Sequence, residues 1–331
     1  MELSREALQG LAAQLGFRAD VLEKAVRLLA VLERLRADDE LRNVCALKGG
    51  TALNVLWLPL PRLSVDIDIN FVGNFSASAL AEQRPLFERR VARACQLAGC
   101  RVVHTPSQHA GGKFRLRFAS LLAGEQNLEL DISFVARVPL GGLVERNATL
   151  PGFEKDQVLT YTLSELAAGK FTAYLSRAVA RDRYDAIQIL ETDPAILQRP
   201  EFRLAFTCFA AAARDDARTW NGQVASLDLQ DVRNKLVPLL RVAHEPLAGD
   251  ARKLAAHLDR ELAGVASQLV AWSGGERAFM DALTDRGELQ PERLTEDLVL
   301  QQRIGAQPML QWQQRNVREH LGLPPLHDEA D

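Results

Sequence analysis

The sequence predicts an α+β protein, with strands concentrated in its first half and helices filling its second. Two observations carry this. Residues 64–71 and 127–135 alternate polar and apolar side chains with the two-residue period of a half-buried strand. Beyond Leu150 the apolar residues recur at helical spacing instead, punctuated by Pro194, Pro200, Pro238, Pro246, Pro291 and Pro308. At 331 residues the chain exceeds the usual single-domain size. The division expected is an α+β domain over 1–165 and a helical domain over 166–331.

Taken in order, the first 40 residues read as helix, with Val21, Ala25, Leu28, Leu29 and Leu32 on one stripe. Lys48-Gly49-Gly50-Thr51 then opens a short helical run, Ala52 to Trp57, which Leu58-Pro59-Leu60-Pro61 ends because proline cannot continue it. Ser64 to Phe71 is a strand with Ile67 and Ile69 facing inward and Asp66 and Asp68 outward. Residues 77–98 are helical, Arg101–His104 and Phe114–Phe118 are strands, and Asn127–Val135 is a strand placing Asp131 on its polar face. A short acidic tail, Asp328-Glu329-Ala330-Asp331, closes the chain.

Composition narrows the class. Hydrophobic residues at 47% and charged residues at 25% describe an ordinary globular protein, and a net charge of −3 excludes a polycation. Cys45, Cys95, Cys100 and Cys208 form no CxxC pair, so buried reduced thiols in a cytoplasmic protein are expected rather than zinc ligands. The N-terminus carries acids and no apolar run, and no stretch is apolar enough for a bilayer span, so no membrane role is expected.

The chemistry sits in one constellation. Asp66 and Asp68, two apart on a strand, bring carboxylates to one face. Carboxylates that close repel unless a cation separates them, and Mg²⁺ (or Mn²⁺) is the usual solution beside phosphate. Such a pair alone also suits the wet face of any strand. Asp131 completes a set of three if its strand neighbours the first. The Gly49-Gly50 turn before a helix is a phosphate cradle, since its N–H groups point outward and glycine permits close approach. Turn and paired aspartates together bring triphosphate and metal to one place.

These residues resemble the opening motif of the DNA polymerase β-type nucleotidyltransferase superfamily, and more closely the AbiEii/AbiGii toxin family, which includes the MenT-type toxins. The family pattern is Gly-Gly-Thr-x-Leu, then Arg-x-Ser-x-Asp-x-Asp; this chain supplies Gly49, Gly50, Thr51, Leu53, Arg62, Ser64, Asp66 and Asp68. A second match is Lys170-Phe171-Thr172-Ala173 followed by Arg177 and Arg181-Asp182-Arg183-Tyr184-Asp185. The spacing from glycines to aspartates is longer than in compact superfamily members and reads as a loop insertion. The resemblance implies a polymerase β-like core, a mixed sheet with flanking helices, followed by an all-helical C-terminal domain. It implies that Asp66, Asp68 and Asp131 hold the metal, with Asp131 receiving the acceptor's proton. Lys48, Gly49, Gly50, Thr51, Arg62, Ser64 and Asp182 are the candidate nucleotide-binding residues, and Ser64 is a candidate site of inactivating phosphorylation. Lys170 is expected to neutralise triphosphate charge and Asp185 to orient it; Asp182, between two arginines, reads equally well as a surface ion-pair patch.

The implied activity is transfer of a nucleoside monophosphate from an NTP to RNA, most naturally a tRNA 3′ end, by a toxin restrained by a cognate antitoxin. Residues 82–117 carry eight basic residues, Arg84, Arg89, Arg90, Arg93, Arg101, Lys113, Arg115 and Arg117, against Glu82 and Glu88. That excess suits a phosphate backbone, or simply a solvated helix face and a basic hairpin. Trp220, Trp272 and Trp312 read as core rather than as recognition platforms. A protein side chain or small molecule as acceptor, and a non-catalytic NTP-binding module, are the alternative readings.

Overall fold

The computed structural model describes residues 4–73, 77–104, 111–155, 157–241, 247 and 249–324; Pro246 and the acidic tail lie outside them. Two helices open the chain, α1 (Arg5–Leu15) and α2 (Ala19–Ala37). Ser4 caps α1 by accepting from the Ala7 N–H, and Gly16 ends it in the left-handed conformation. Strand β1 (Cys45–Leu47) leads into α3 (Gly49–Ala52), which widens into a π-helical turn at Leu53–Trp57. The proline loop follows. Within it Leu60 adopts a φ of 53°, uncommon for a side chain of its size, and is held there by full burial.

Strand β2 (Asp66–Phe71) and helix α4 (Ala77–Leu97) come next. Strands β3 (Arg101–His104), β4 (Gly111–Ala119), β5 (Glu125–Ser133), β6 (Leu143–Asn147) and β7 (Gln157–Tyr161) complete a seven-stranded mixed sheet ordered β3-β4-β5-β2-β1-β7-β6. In it β2 lies parallel to β5 and antiparallel to β1, and β1 lies parallel to β7. The two strands that carry the aspartates are therefore neighbours. Strands β6 and β7 went unread in the sequence, because neither shows a clear alternation.

The apolar face of the sheet, Ile67, Ile69, Phe71, Leu130, Ile132 and Phe134, is fully buried. Phe87 of α4 packs edge-on against Phe71 at 4.7 Å and lies 5.9 Å from Phe134, so α4 covers this face. After Tyr161 the described chain is helical: α5 (Leu163–Ser176), α6 (Ala180–Thr192), α7 (Pro200–Ala211), α8 (Leu229–Asp231) with a π-helical extension, α9 (Ala251–Glu261), α10 (Val265–Leu269), α11 (Gly274–Arg286), α12 (Leu298–Gly305) and α13 (Pro308–His320).

Hydrogen bonds stitch the helical half to the sheet half. Leu63 N–H donates to the Leu239 carbonyl at 2.9 Å, pinning the entry to β2. Within the helical half, Asp231 accepts from the Ala180 N–H at 2.9 Å and so caps α6. Glu165, buried at the start of α5, accepts from Leu140 and Gly141 N–H groups, while Arg303 and Gln307 reach the Leu140 and Val138 carbonyls. One continuous hydrophobic cluster runs from Leu8 to Leu310. Trp220 and Trp272 pack against it, whereas Trp312 is 57% exposed and departs from the core expectation. The four cysteines are free and buried.

Candidate active site

The aspartates sit at the meeting point of β2 and β5. Because the strands are parallel and in register, Asp68 is paired directly with Asp131 and Asp66 with Glu129. Residues opposite each other share a sheet face, so four carboxylates stand together on the face away from α4. Burial raises the Asp68 carboxyl above its ordinary value, Lys48 pulls it down, and Asp66 and Asp131 push it up again. Burial likewise raises Asp131, against the opposing Lys113 charge.

The glycine turn abuts these acids. Lys48 N–H donates to the Asp68 carbonyl at 2.9 Å, fastening the turn to β2. Gly49 has a φ of +69°, and a β-carbon there would lie 2.6 Å from Asp68 Oδ2. Only glycine fits both the dihedral and the gap. A β-carbon on Gly50 would lie 2.8 Å from Arg62 Nη2, so the second glycine is required by what packs beneath the turn. Thr51 Oγ donates to the Asp66 carbonyl and lies 2.8 Å from Ser64 Oγ, which ties the first helical turn to the start of β2.

Beneath the turn lies a buried ionic network. Arg62 and Asp185 form a two-pronged pair, Nε to Oδ1 and Nη2 to Oδ2, each 2.7 Å, with both side chains essentially inaccessible. Lys170 Nζ lies 2.8 Å from Asp182 and 2.9 Å from Asp185. Arg177 pairs with Asp182 at 2.7 Å, and Asn54 bridges the Gly50 carbonyl at 2.8 Å to Asp185 at 3.1 Å. Burial opposes ionisation of Asp185, but the Arg62 and Lys170 charges and hydrogen bonds overcome it and hold the carboxyl well below the usual carboxylate range.

All the sequence-derived candidates thus gather around one turn, with two changes of place. Arg62 is sealed under the glycines, its guanidinium spent on Asp185 and on the Leu63 carbonyl at 2.9 Å, instead of facing an open cleft. Asp182 is buried and joins Lys170 to Arg177, so it is not a surface patch. Three residues given no site role in the sequence also belong here. Arg181 lies 3.4 Å from Asp66, Lys113 lies 3.4 Å from Asp131, and Asn54 holds Gly50 to Asp185. Lys113 lies just before the strand read at Phe114–Phe118, and its pairing with Asp131 depends on a register no single sequence states.

Cations thus lean on the outer carboxylates: Arg181 on Asp66 and Lys113 on Asp131, with Lys48 close enough to act on Asp68. Among the described residues, no three such groups yet close around a common point. The donors fit a hard divalent cation in kind, being aligned carboxylate oxygens whose repulsion a cation relieves.

The sequence matches a family described as "Nucleotidyl transferase AbiEii toxin, Type IV TA system" over residues 30–318. A search of the curated proteins found no match. Among solved structures the fold is similar to that of MenT4, a nucleotidyltransferase toxin from Mycobacterium tuberculosis H37Rv, with a TM-score of 0.54 and 18% identity. That likeness covers 92% of this chain and 98% of the other. Matched over most of its length, the chain belongs to the AbiEii nucleotidyltransferase toxin family.

Proposed function

We propose that this toxin transfers a nucleoside monophosphate from an NTP to the 3′-terminal hydroxyl of an RNA, a tRNA by preference, and so blocks translation in the cytoplasm until its cognate antitoxin restrains it. The observation that carries the chemistry is the in-register pairing of Asp68 with Asp131, one hydrogen bond from the glycine turn. Asp66, Asp68 and Asp131 would hold Mg²⁺ or Mn²⁺, which when bound neutralises charge on the attacking and leaving oxygens.

The chain's own residues supply the rest. N–H groups of the Gly49-Gly50 turn cradle the triphosphate, and Lys48 and Arg181 move from the carboxylates to phosphate oxygens as the nucleotide enters. Lys170 adds positive charge from below, kept in place by Asp182 and Asp185. Arg62 and Asp185 act as positioning residues, setting the level of the turn relative to β2. The acceptor oxygen forms a bond to the α-phosphorus and its proton passes to Asp131. The bond from the α-phosphorus to the oxygen bridging the β-phosphate breaks, and pyrophosphate leaves.

The test is incubation of purified protein with Mg²⁺, each α-³²P-labelled NTP and total tRNA, with Asp66→Ala in parallel. Label in the tRNA band with wild type alone is the expected result. Label in protein would remove the RNA acceptor, and no label anywhere would remove catalysis.

A further inference from the structure

We infer that the outward face of β4 and β3 is the track on which the acceptor strand lies, its phosphates held by Arg115, Arg117 and Arg101 while its 3′ end reaches Asp131. This rests on the RNA-transfer reading and deepens it by assigning the surface.

The sheet register sets out the face as rows. One row runs Asp68, Asp131, Lys113, and the next runs Asp66, Glu129, Arg115, His104. Alongside lie Asn127, Arg117 and Arg101. Charge therefore changes sign across the face, from carboxylates on β2 and β5 to cations on β4 and β3. The distance from β2 to β3 is three strand spacings, about 14 Å, which a few nucleotides of single strand would cover.

This half of the face is open: Arg101 is 61% and Lys113 43% exposed, and Arg115 is exposed. Lys113 lies 2.7 Å from Glu129. Arg101 and Arg117 share Glu125 at 3.4 and 3.5 Å, contacts too long and too wet to hold them firmly. Arg115 has no ion pair among the described residues. Among the described residues no Phe, Tyr or Trp stands on this half of the face, since Phe114 and Phe118 are buried in the core, and His104 is its one aromatic ring. Recognition would therefore run chiefly through phosphates and arginine planes, which is salt-sensitive and tolerant of sequence.

The other basic residues of 82–117 do not compete for this role. Arg84 pairs with Glu88 at 2.6 Å and Arg90 with Asp38 at 3.3 Å. Arg89 and Arg93 are exposed on α4, which covers the opposite face of the sheet. They provide a charge-matched control.

The experiment compares Arg115→Glu/Arg117→Glu with Arg89→Glu/Arg93→Glu and wild type. It measures tRNA affinity against salt, and KM and kcat for tRNA and NTP. The strand-face pair is expected to weaken RNA binding about tenfold and to reduce the slope of log K against log salt by about 1.4, as two lost phosphate contacts require. Its KM for tRNA rises while its KM for NTP stays put, and the α4 pair stays near wild type. Melting curves verify folding, and Arg115→Gln/Arg117→Gln replaces the reversal if it unfolds the protein. Equal effects from both faces, or none from either, overturn the assignment while wild-type labelling of tRNA leaves the function standing. Loss of a protein partner with RNA transfer intact also overturns it. Failure of wild type itself to label RNA removes the function first and this surface with it.

Discussion

Asp185 and Asp66 are both single carboxylates of one site, yet their energetics differ because their solvation differs. Asp185 is inaccessible and holds two buried cations, Arg62 and Lys170, whereas the Asp66 side chain is 45% exposed and leans on Arg181 at 3.4 Å. Asp185→Asn leaves Arg62 charged, buried and without its two-pronged partner, although Lys170 keeps Asp182. Breaking a buried pair from one side costs about 3–5 kcal/mol. Asp66→Asn is expected to cost under about 1 kcal/mol, the scale of an exposed pair. Urea unfolding of both variants measures the difference, and equal midpoints would show that the network does not bear on stability. In the proposed mechanism activity falls in both, for separate reasons: Asp66 would hold the metal, and Asp185 would set the position of the turn and Lys170.

At the scale of the element, the start of α5 carries a pH response. Glu165 is deeply buried, and burial pushes its carboxyl from 4.5 up to about 7, against the pull of the Gly141 and Leu140 N–H groups and of Arg303. Between those values the folded state keeps a proton that the unfolded state has released, so stability falls as pH rises from about 5 to about 7. Melting temperature measured at pH 5.5 and pH 8 should show the fall. Glu165→Gln should flatten it, at some general cost because an amide NH₂ cannot accept from both main-chain donors. An unchanged slope in the variant assigns the response elsewhere. The same element shows what a sequence states and what it withholds. Alternation identified β2 and β5, and the helical spacing of Asp182 and Asp185 placed both on one face of α6. Glu165 gave no signal, because its role depends on Leu140 and Gly141, 25 and 24 residues away. Arg62 was recognised by its motif but its placement stayed open, since a loop beside prolines does not tell which way its guanidinium turns. Strand β7 is short and lies at a parallel pairing whose partner, β1, is more than a hundred residues earlier.

For the whole molecule, the two halves read from the sequence share one hydrophobic cluster and one ionic network. Arg62 comes from the proline loop, Lys170 from α5 and Asp185 from α6, and Leu63 is hydrogen-bonded to Leu239. Calorimetry is therefore expected to show one cooperative unfolding transition; two separated transitions would mean that the halves fold independently. Among the described residues, no helix is long and apolar enough to cross a membrane. The mixed sign of the catalytic face also matters at this scale, because a polyanion approaching β3 meets positive charge first and the carboxylates last, which favours one orientation of encounter.

The burial of Asp185 has a practical corollary for anyone who must grow cells that make a poison. A disarmed version is needed for expression, immunisation or capture of the antitoxin, and it must keep the shape of the live one. Disarming at Asp185 would remove activity by loosening the scaffold, leaving a chain prone to degradation and a distorted bait. Disarming at Asp66 strikes a half-exposed group on a rigid strand, so the silenced protein remains a faithful replica.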